Sequence, residues 1–206
     1  MYKTEQERFW AGEFGNDYAA RNCGPQNVAA ATALFAKVLA RTHGISSVLE
    51  LGANIGLNMR ALHHLLPSAT LDAVEINESA FTQLRTLPGV TAHHASILEY
   101  KPLAPVDFAF TKGVLIHIAP EEIAGALDTL YTASRRYIGL LEYYNITPME
   151  VPYRGHGGRL FKRDWCADLL KRHPDLRLLD YGFVYHGDPS FSDDDITWFL
   201  LEKPIS

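Results

Sequence analysis

The stretch "VLELGANIGLN" (48–58) decides the fold. Val48, Leu49 and Leu51 make a short apolar run around Glu50, closed by Gly52, and Gly56 follows four residues on. An apolar run that ends in glycine reads as a buried strand, and the glycines read as a turn where bare backbone approaches a ligand. Residues 57–66 then read as a helix, stopped by Pro67. Strand, glycine turn and helix together form the opening unit of a nucleotide-binding α/β fold.

The same alternation continues outward. "LDAVEIN" is a second strand, and 78–87 is a second helix ending before Pro88 and Gly89. "VTAHHAS" and "VDFAFTKG" are the third and fourth strands, a helix over 121–135 follows Pro120, and "YIGLLEYY" is the fifth strand. Residues 163–172 form a further helix. Upstream, Val28, Leu34, Phe35, Val38 and Leu39 recur at helical spacing over 26–42, with Pro25 in the first turn. Strands separated by helix-length connections pair in parallel through right-handed crossovers. The tail departs from this pattern. "LRLLDYGFVYH" and "ITWFLLEK" are joined by "GDPSFSDDD", too short for a crossover helix, so they pair as an antiparallel hairpin. The expectation is an α/β, Rossmann-like fold with a seven-stranded, mostly parallel sheet and a C-terminal antiparallel hairpin. Residues 1–206 would form one domain, with 1–42 as a helical lid or cap and 43–206 as the core.

Composition limits the function. The 206 residues are 47% apolar and 21% charged, with a net charge of −5, an ordinary globular balance. That balance offers no basic footprint for nucleic acid and no polybasic membrane anchor. Cys23 and Cys166 are far apart and suggest neither a disulfide framework nor structural zinc. "MYKTEQERFW" is too polar for a signal peptide, and "NVAAATALFAKVLA" is short for a membrane span and holds Lys37. A cytoplasmic protein follows, with a small molecule rather than nucleic acid or membrane as partner. No metal is expected, because His63-His64 and His93-His94 are adjacent pairs without ligand spacing. "SDDDITW" reads as a polar hairpin turn, since the alternating ligands of a calcium loop are missing.

The turn selects the ligand. A dinucleotide fingerprint wants G-x-G-x-x-G, and here Asn54 occupies its middle glycine. S-adenosylmethionine carries no phosphate. It needs bare backbone, which Gly52 and Gly56 supply, and a carboxylate for its ribose hydroxyls, which Glu75 supplies at the end of the second strand. Glu50, Ser96, Lys112 and Glu142 also fall near carboxyl ends of strands, where ligands of open α/β sheets lie. Cofactor contacts are therefore expected from Glu50, Gly52, Asn54, Gly56, Asn58, Glu75, Ile76, Ser96, Ile97, Lys112, Gly113 and Val114.

"ELGANIGLN" and "AVEIN", with the tail hairpin, resemble the class I S-adenosylmethionine-dependent methyltransferases. Four longer segments, "FWAGEFGNDYAARN", "FTKGVLIHI", "LLEYYNITPMEVPYRGHGGRLFKRDW" and "DYGFVYHGDPSFSDDDITWFLLEK", resemble the methylases associated with pseudaminic acid biosynthesis, across nearly the whole chain. The resemblance implies methyl transfer from S-adenosylmethionine to a small acceptor, a sugar acid or an amine in a biosynthetic pathway. N- or O-methylation of another natural product or amino acid is the alternative. One departure stands out: many class I enzymes carry an acid after the third strand to reach the adenine amino group, and here the segment is Ala95-Ser96-Ile97. The resemblance also implies a basic residue from the N-terminal segment on the methionine carboxylate, and Arg21 is the candidate beside Tyr18.

The acceptor side is less determined. Trp10, Phe14 and Tyr18 read either as core packing or as a lid whose faces exclude water from a sulfonium, with Phe14 facing the acceptor. His117 is either a base or a packed histidine under the cofactor. In "LEYYN", Glu142 and Tyr144 alternate with Leu141 and Tyr143, so one tyrosine faces the pocket as a catalytic candidate, with Glu142 and Asn145 beside the acceptor. "PYRGHGGRLFKRDW" clusters Arg154, His156 and Arg159 among three glycines, which suits an anionic group on the substrate. Two rival functions remain: a nicotinamide oxidoreductase, disfavoured by Asn54 and the hairpin, and a non-catalytic scaffold of the same fold.

Overall fold

A computed structural model describes residues 2–204. The chain opens with three helices, α1 (Glu5–Ala11), α2 (Glu13–Arg21) and α3 (Pro25–Val38). A capping box starts α1: the Thr4 hydroxyl accepts from the Glu7 amide at 3.1 Å, and the Glu7 carboxylate accepts from the Thr4 amide at 3.0 Å. The alternating units follow as β1 (Ser47–Leu51), α4 (Leu57–Leu65), β2 (Thr70–Glu75), α5 (Glu78–Leu84), β3 (Val90–His94), β4 (Val106–Lys112), α6 (Ile123–Ala133) and β5 (Ser134–Glu142). A short ribbon of β6 (Met149–Glu150) and β7 (Phe161–Lys162) precedes α7 (Trp165–Arg172), and the hairpin β8 (Arg177–Val184) and β9 (Ile196–Glu202) ends the chain.

The seven-stranded sheet has the order β3-β2-β1-β4-β5-β9-β8. Its first five strands are parallel, and β9 runs antiparallel to both β5 and β8. From β1 the chain winds outward to β3, then returns to β4 on the other side. The crevice between the carboxyl ends of β1 and β4 is therefore the switch point where such sheets bind ligands.

Strand periodicity divides the core between the two sheet faces. Val48, Phe108 and Phe110 pack under Phe35, Val38, Met59 and Leu62 of α3 and α4. Leu49, Leu51, Ala109, Ile138 and Leu140 pack under Leu127, Leu130, Trp165 and Leu169 of α6 and α7. The lower end of β4 is fixed by a buried carboxylate. Asp107 accepts from the amide and hydroxyl of Ser46 at 2.8 and 2.7 Å and from Arg135 Nε at 2.6 Å. Burial opposes its charge, but these donors outweigh it and hold the carboxyl well below the usual range.

Helix boundaries differ from the sequence reading: the 78–87 helix ends at Leu84, the 57–66 helix at Leu65, and three others differ for a local reason. The 26–42 helix ends at Val38, and a tighter turn, Leu39–Arg41, finishes it. The 121–135 helix stops at Ala133, because Arg135 and Arg136 join β5 to reach Asp107 at 2.6 Å and Glu202 at 3.2 Å. The 163–172 helix starts at Trp165, because the Asp164 side chain caps it by accepting from the Ala167 amide at 2.9 Å. The ribbon of β6 and β7 was not read from the sequence, since two-residue strands carry no pattern. No helix among the described residues is long and apolar enough to cross a membrane.

Candidate active site

The turn after β1 is shaped by residues that few side chains can replace. Gly52, Asn54 and Gly56 have φ of 85°, 50° and 81°. A Cβ on Gly52 would lie 2.5 Å from Val114 Cγ2, and one on Gly56 would lie 2.4 Å from Leu87 Cδ1. Asparagine tolerates the left-handed region, so Asn54 fits its place. The amides of Gly52 and Ala53 both donate to the Val74 carbonyl at 2.9 Å, which ties the turn to β2.

Glu75, at the end of β2, completes this tie. Its carboxylate accepts from the Asn54 amide at 2.7 Å and the Asn77 amide at 2.6 Å. Burial pushes the carboxyl up, and those amides oppose the push. Glu50 lies deeper, fully buried, with Asn58 Nδ2 donating to Oε1 at 2.6 Å and no partner on Oε2 among the described residues. Burial raises its pKa to about 8.

On the far side, Glu142 at the end of β5 accepts from the amides of Val114, Leu115 and Ile116 at 3.1 to 3.4 Å. It fixes the tight turn Leu115–His117 beyond β4, and burial raises its pKa to about 7. His117, 8% exposed, donates from Nδ1 to the Arg159 carbonyl at 2.5 Å, an assignment set by the acceptor, which leaves Nε2 as a lone pair. Burial lowers its pKa to about 4, so the ring is neutral near pH 7.

The helices α1 and α2 close over this crevice. Their corner fits only glycine at Gly15, where a Cβ would meet the Trp10 carbonyl at 1.9 Å. Asn77 fastens the corner to α5. Its Nδ2 donates to the Trp10 carbonyl at 3.2 Å and to Asn16 Oδ1 at 2.9 Å, while its Oδ1 accepts from the Ala80 amide at 2.9 Å. The Trp10 ring stands edge-on to Tyr18 and lies 4.4 Å from the His117 ring. Across the crevice the Ser96 hydroxyl donates to the Glu7 carboxylate. These elements enclose a cavity of about 230 Å³.

Solved structures match this architecture throughout, while no protein-family model and no curated protein matches the chain. Magnesium protoporphyrin IX methyltransferase from Synechocystis PCC 6803, with S-adenosylhomocysteine bound, aligns with a TM-score of 0.72 and 13% identity over 98% of this chain and 100% of that one. The 1,6-didemethyltoxoflavin-N1-methyltransferase of Burkholderia thailandensis, with 1,6-didemethyltoxoflavin and S-adenosylhomocysteine, aligns at 0.68 and 16% identity over 97% of this chain and 87% of that one. The N-methyltransferase NodS of Bradyrhizobium japonicum, in complex with S-adenosylhomocysteine, aligns at 0.65 and 14% identity over 97% of each chain. The fold is that of the Rossmann-like methyltransferases.

Within this methyltransferase fold, the cavity gathers most of the residues read from the sequence as cofactor contacts. Tyr18, Gly52, Asn54, Asn58, Glu75, Ile76, Ser96, Ile97, Lys112, Gly113 and Val114 line it, and so does His117. Glu50 and Gly56 lie behind the turn rather than on the wall. Arg21 is exposed on α2, its guanidinium 5.8 Å from the Phe14 ring, and Asn22 and Asn27 take the wall in its place.

The expected acceptor side is rearranged. The Glu142 carboxylate is taken up under the 115–117 turn and does not face the cavity. Phe14 stacks on Phe9 at 4.2 Å, outside the wall. Tyr144 packs toward Phe199, and Asn145 Nδ2 donates to the Thr147 carbonyl at 2.6 Å. Tyr143 is off the wall too, with its ring against Lys162 Nζ at 5.1 Å and its hydroxyl near Asp194. The glycine-rich loop turns these side chains elsewhere: Arg154 over Tyr153, His156 against Phe9, and Arg159 over Phe9 with Glu5 at 3.4 Å. The wall instead includes Glu7, Trp10, Asp193 and Asp194. Only Trp10 was weighed from the sequence. Asp193 and Asp194 sit in the stretch read as a polar turn, and Glu7 carried no signal beyond its helix cap. Among the described residues no group of three or more His, Cys, Asp or Glu side chains is placed to hold a metal ion.

Proposed function

We propose that this chain transfers a methyl group from S-adenosylmethionine to a small molecule. One observation carries the reading: Glu75 sits under the Gly52–Asn54 backbone, on the wall of the cavity at the switch point, tied to that turn at 2.7 Å. A carboxylate there accepts from two adjacent ribose hydroxyls, and the bare turn lets the ligand approach the backbone. The unpartnered Oε2 of Glu50 also fits a polar group reaching behind the turn.

When bound, S-adenosylmethionine supplies a methyl group on a positively charged sulfur. The protein's part is alignment and exclusion of water. Lys112, Gly113 and Val114 border the donor from the β4 side, and Trp10 and Tyr18 close the crevice from above. His117 offers the Nε2 lone pair to a proton leaving the acceptor. In its finer form the reading follows the resemblance to methylases associated with pseudaminic acid biosynthesis, with a sugar acid or an amine as acceptor. Arg154, His156 and Arg159 of the glycine-rich loop lie off the cavity wall, which gives an anionic acceptor less support than the sequence did.

Calorimetric titration tests the proposal. S-adenosylhomocysteine should bind the wild type, and Glu75→Ala should weaken it by about 1–3 kcal/mol, the cost of an unpaired polar partner. An unchanged affinity in the variant, or preferential binding of a nicotinamide dinucleotide, would contradict it.

A further inference from the structure

The cavity wall carries two aspartates and one lysine from the carboxyl-end side of the sheet. Asp193 and Asp194 reach it from the connection between β8 and β9. Lys112 is the one lysine or arginine on the wall among the described residues, and it is held by Asp193 at 2.9 Å. Asp194 makes no ion pair among the described residues, and the Tyr143 hydroxyl lies beside it. Its neighbours fix the connection: Asp195 pairs with His186 at 2.9 Å, and Asp188 accepts from the amides of Ser190 and Phe191 at 2.8 Å. A second observation comes from the opposite wall. His117 is 8% exposed, its Nδ1 is committed to the Arg159 carbonyl, and its Nε2 has no partner among the described residues. The faces of Trp10 and Tyr18 complete the wall.

This set suits a ligand that carries N–H donors and positive charge. A carboxylate with no cationic partner makes charge-assisted hydrogen bonds to a cation, and aromatic faces attract it. An anion would meet Asp194 with no free cation to offset it. Resting on the methyl-donor reading above, we propose that the methyl acceptor is an amine, held as its cation by Asp194 against Trp10 and Tyr18.

The chemistry balances without a further reactant. The ammonium form of the acceptor, held by Asp194, releases one proton to solvent by way of the His117 Nε2 lone pair, which frees the nitrogen lone pair. That pair forms the new N–C bond as the C–S bond breaks, its electrons passing to sulfur, which becomes a neutral thioether. The methylated nitrogen then carries the positive charge and leaves as the cation.

A matched series separates the acceptor classes. Protein saturated with S-adenosylhomocysteine is titrated with phenethylamine, 3-phenylpropionate and 2-phenylethanol, which share ring and chain. The amine should bind about tenfold more tightly than the other two, and Asp194→Asn should remove about that factor, as expected for one charge-assisted hydrogen bond. Asp175→Asn, whose carboxylate is exposed, bonded by the Tyr131 hydroxyl and off the cavity wall, makes the same change in net charge and should leave amine binding in place. Equal or stronger binding of the acid or alcohol, binding of none of the three, or equal losses in both variants would overturn the proposal. Failure of S-adenosylhomocysteine to bind contradicts the donor assignment instead, and the amine preference is then judged on the unloaded protein by the same criterion.

Discussion

Glu50 and Glu75 are both buried carboxylates at the carboxyl ends of neighbouring strands, yet their surroundings differ. Glu75 is satisfied by two backbone amides, whereas Glu50 has one side-chain donor and one oxygen without a partner. Burial therefore dominates at Glu50 and raises its pKa to about 8. The sign of the consequence follows from linkage. Between pH 6.5 and 8 the folded chain holds a proton at Glu50 that the unfolded chain, titrating near 4.5, has lost. Stability falls as pH rises through that window. His117, lowered to about 4 from 6.5, acts oppositely but chiefly below the window. Glu142, raised to about 7, loses its proton in the lower part of the same window and adds to the fall. The melting temperature of the unliganded protein should drop from pH 6.5 to 8, and Glu50→Gln, which still accepts from Asn58, should make the drop smaller, most clearly above pH 7. A variant as pH-sensitive as the wild type would contradict the assignment.

At the scale of elements, the two N-terminal helices are held over the crevice by Glu7, Trp10 and Phe9 contacts and by Asn77, which makes several bonds to their corner. It caps α5 and binds the Trp10 carbonyl and Asn16 in the α1–α2 corner. Asn77→Ala should cost about 0.5–2 kcal/mol, the usual loss for a helix cap. It should also speed amide hydrogen exchange over residues 5–21 while β1 and β4 stay protected, since local opening follows the weakest attachments. Uniform acceleration across the sheet would show that Asn77 acts on global stability alone. Across the sheet, Glu142 links β5 to the 115–117 turn in a similar way, with one carboxylate serving three amides. That role explains why an acid at a strand end need not face a ligand.

For the whole molecule, local pattern carried the sheet and the turn at the foot of the cavity. Gly52, Gly56 and Glu75 are legible because turn geometry and strand ends are set within a few residues of sequence. The rest of the wall was not, because it is assembled at long range. Ser96 meets Glu7 from 89 residues away, and Lys112 meets Asp193 from 81. Arg154, His156 and Arg159 show the converse error. Composition marks them as a cationic loop, but packing on Phe9 and Tyr153 turns them off the wall. The central claim is that the crevice between β1 and β4 holds S-adenosylmethionine with its ribose on Glu75. A crystal structure of the protein with S-adenosylhomocysteine tests it most directly. The account predicts both ribose hydroxyls on the Glu75 carboxylate, with the ligand backbone along Gly52 and Asn54. A ligand bound elsewhere, or a ribose that leaves Glu75 untouched, would contradict it.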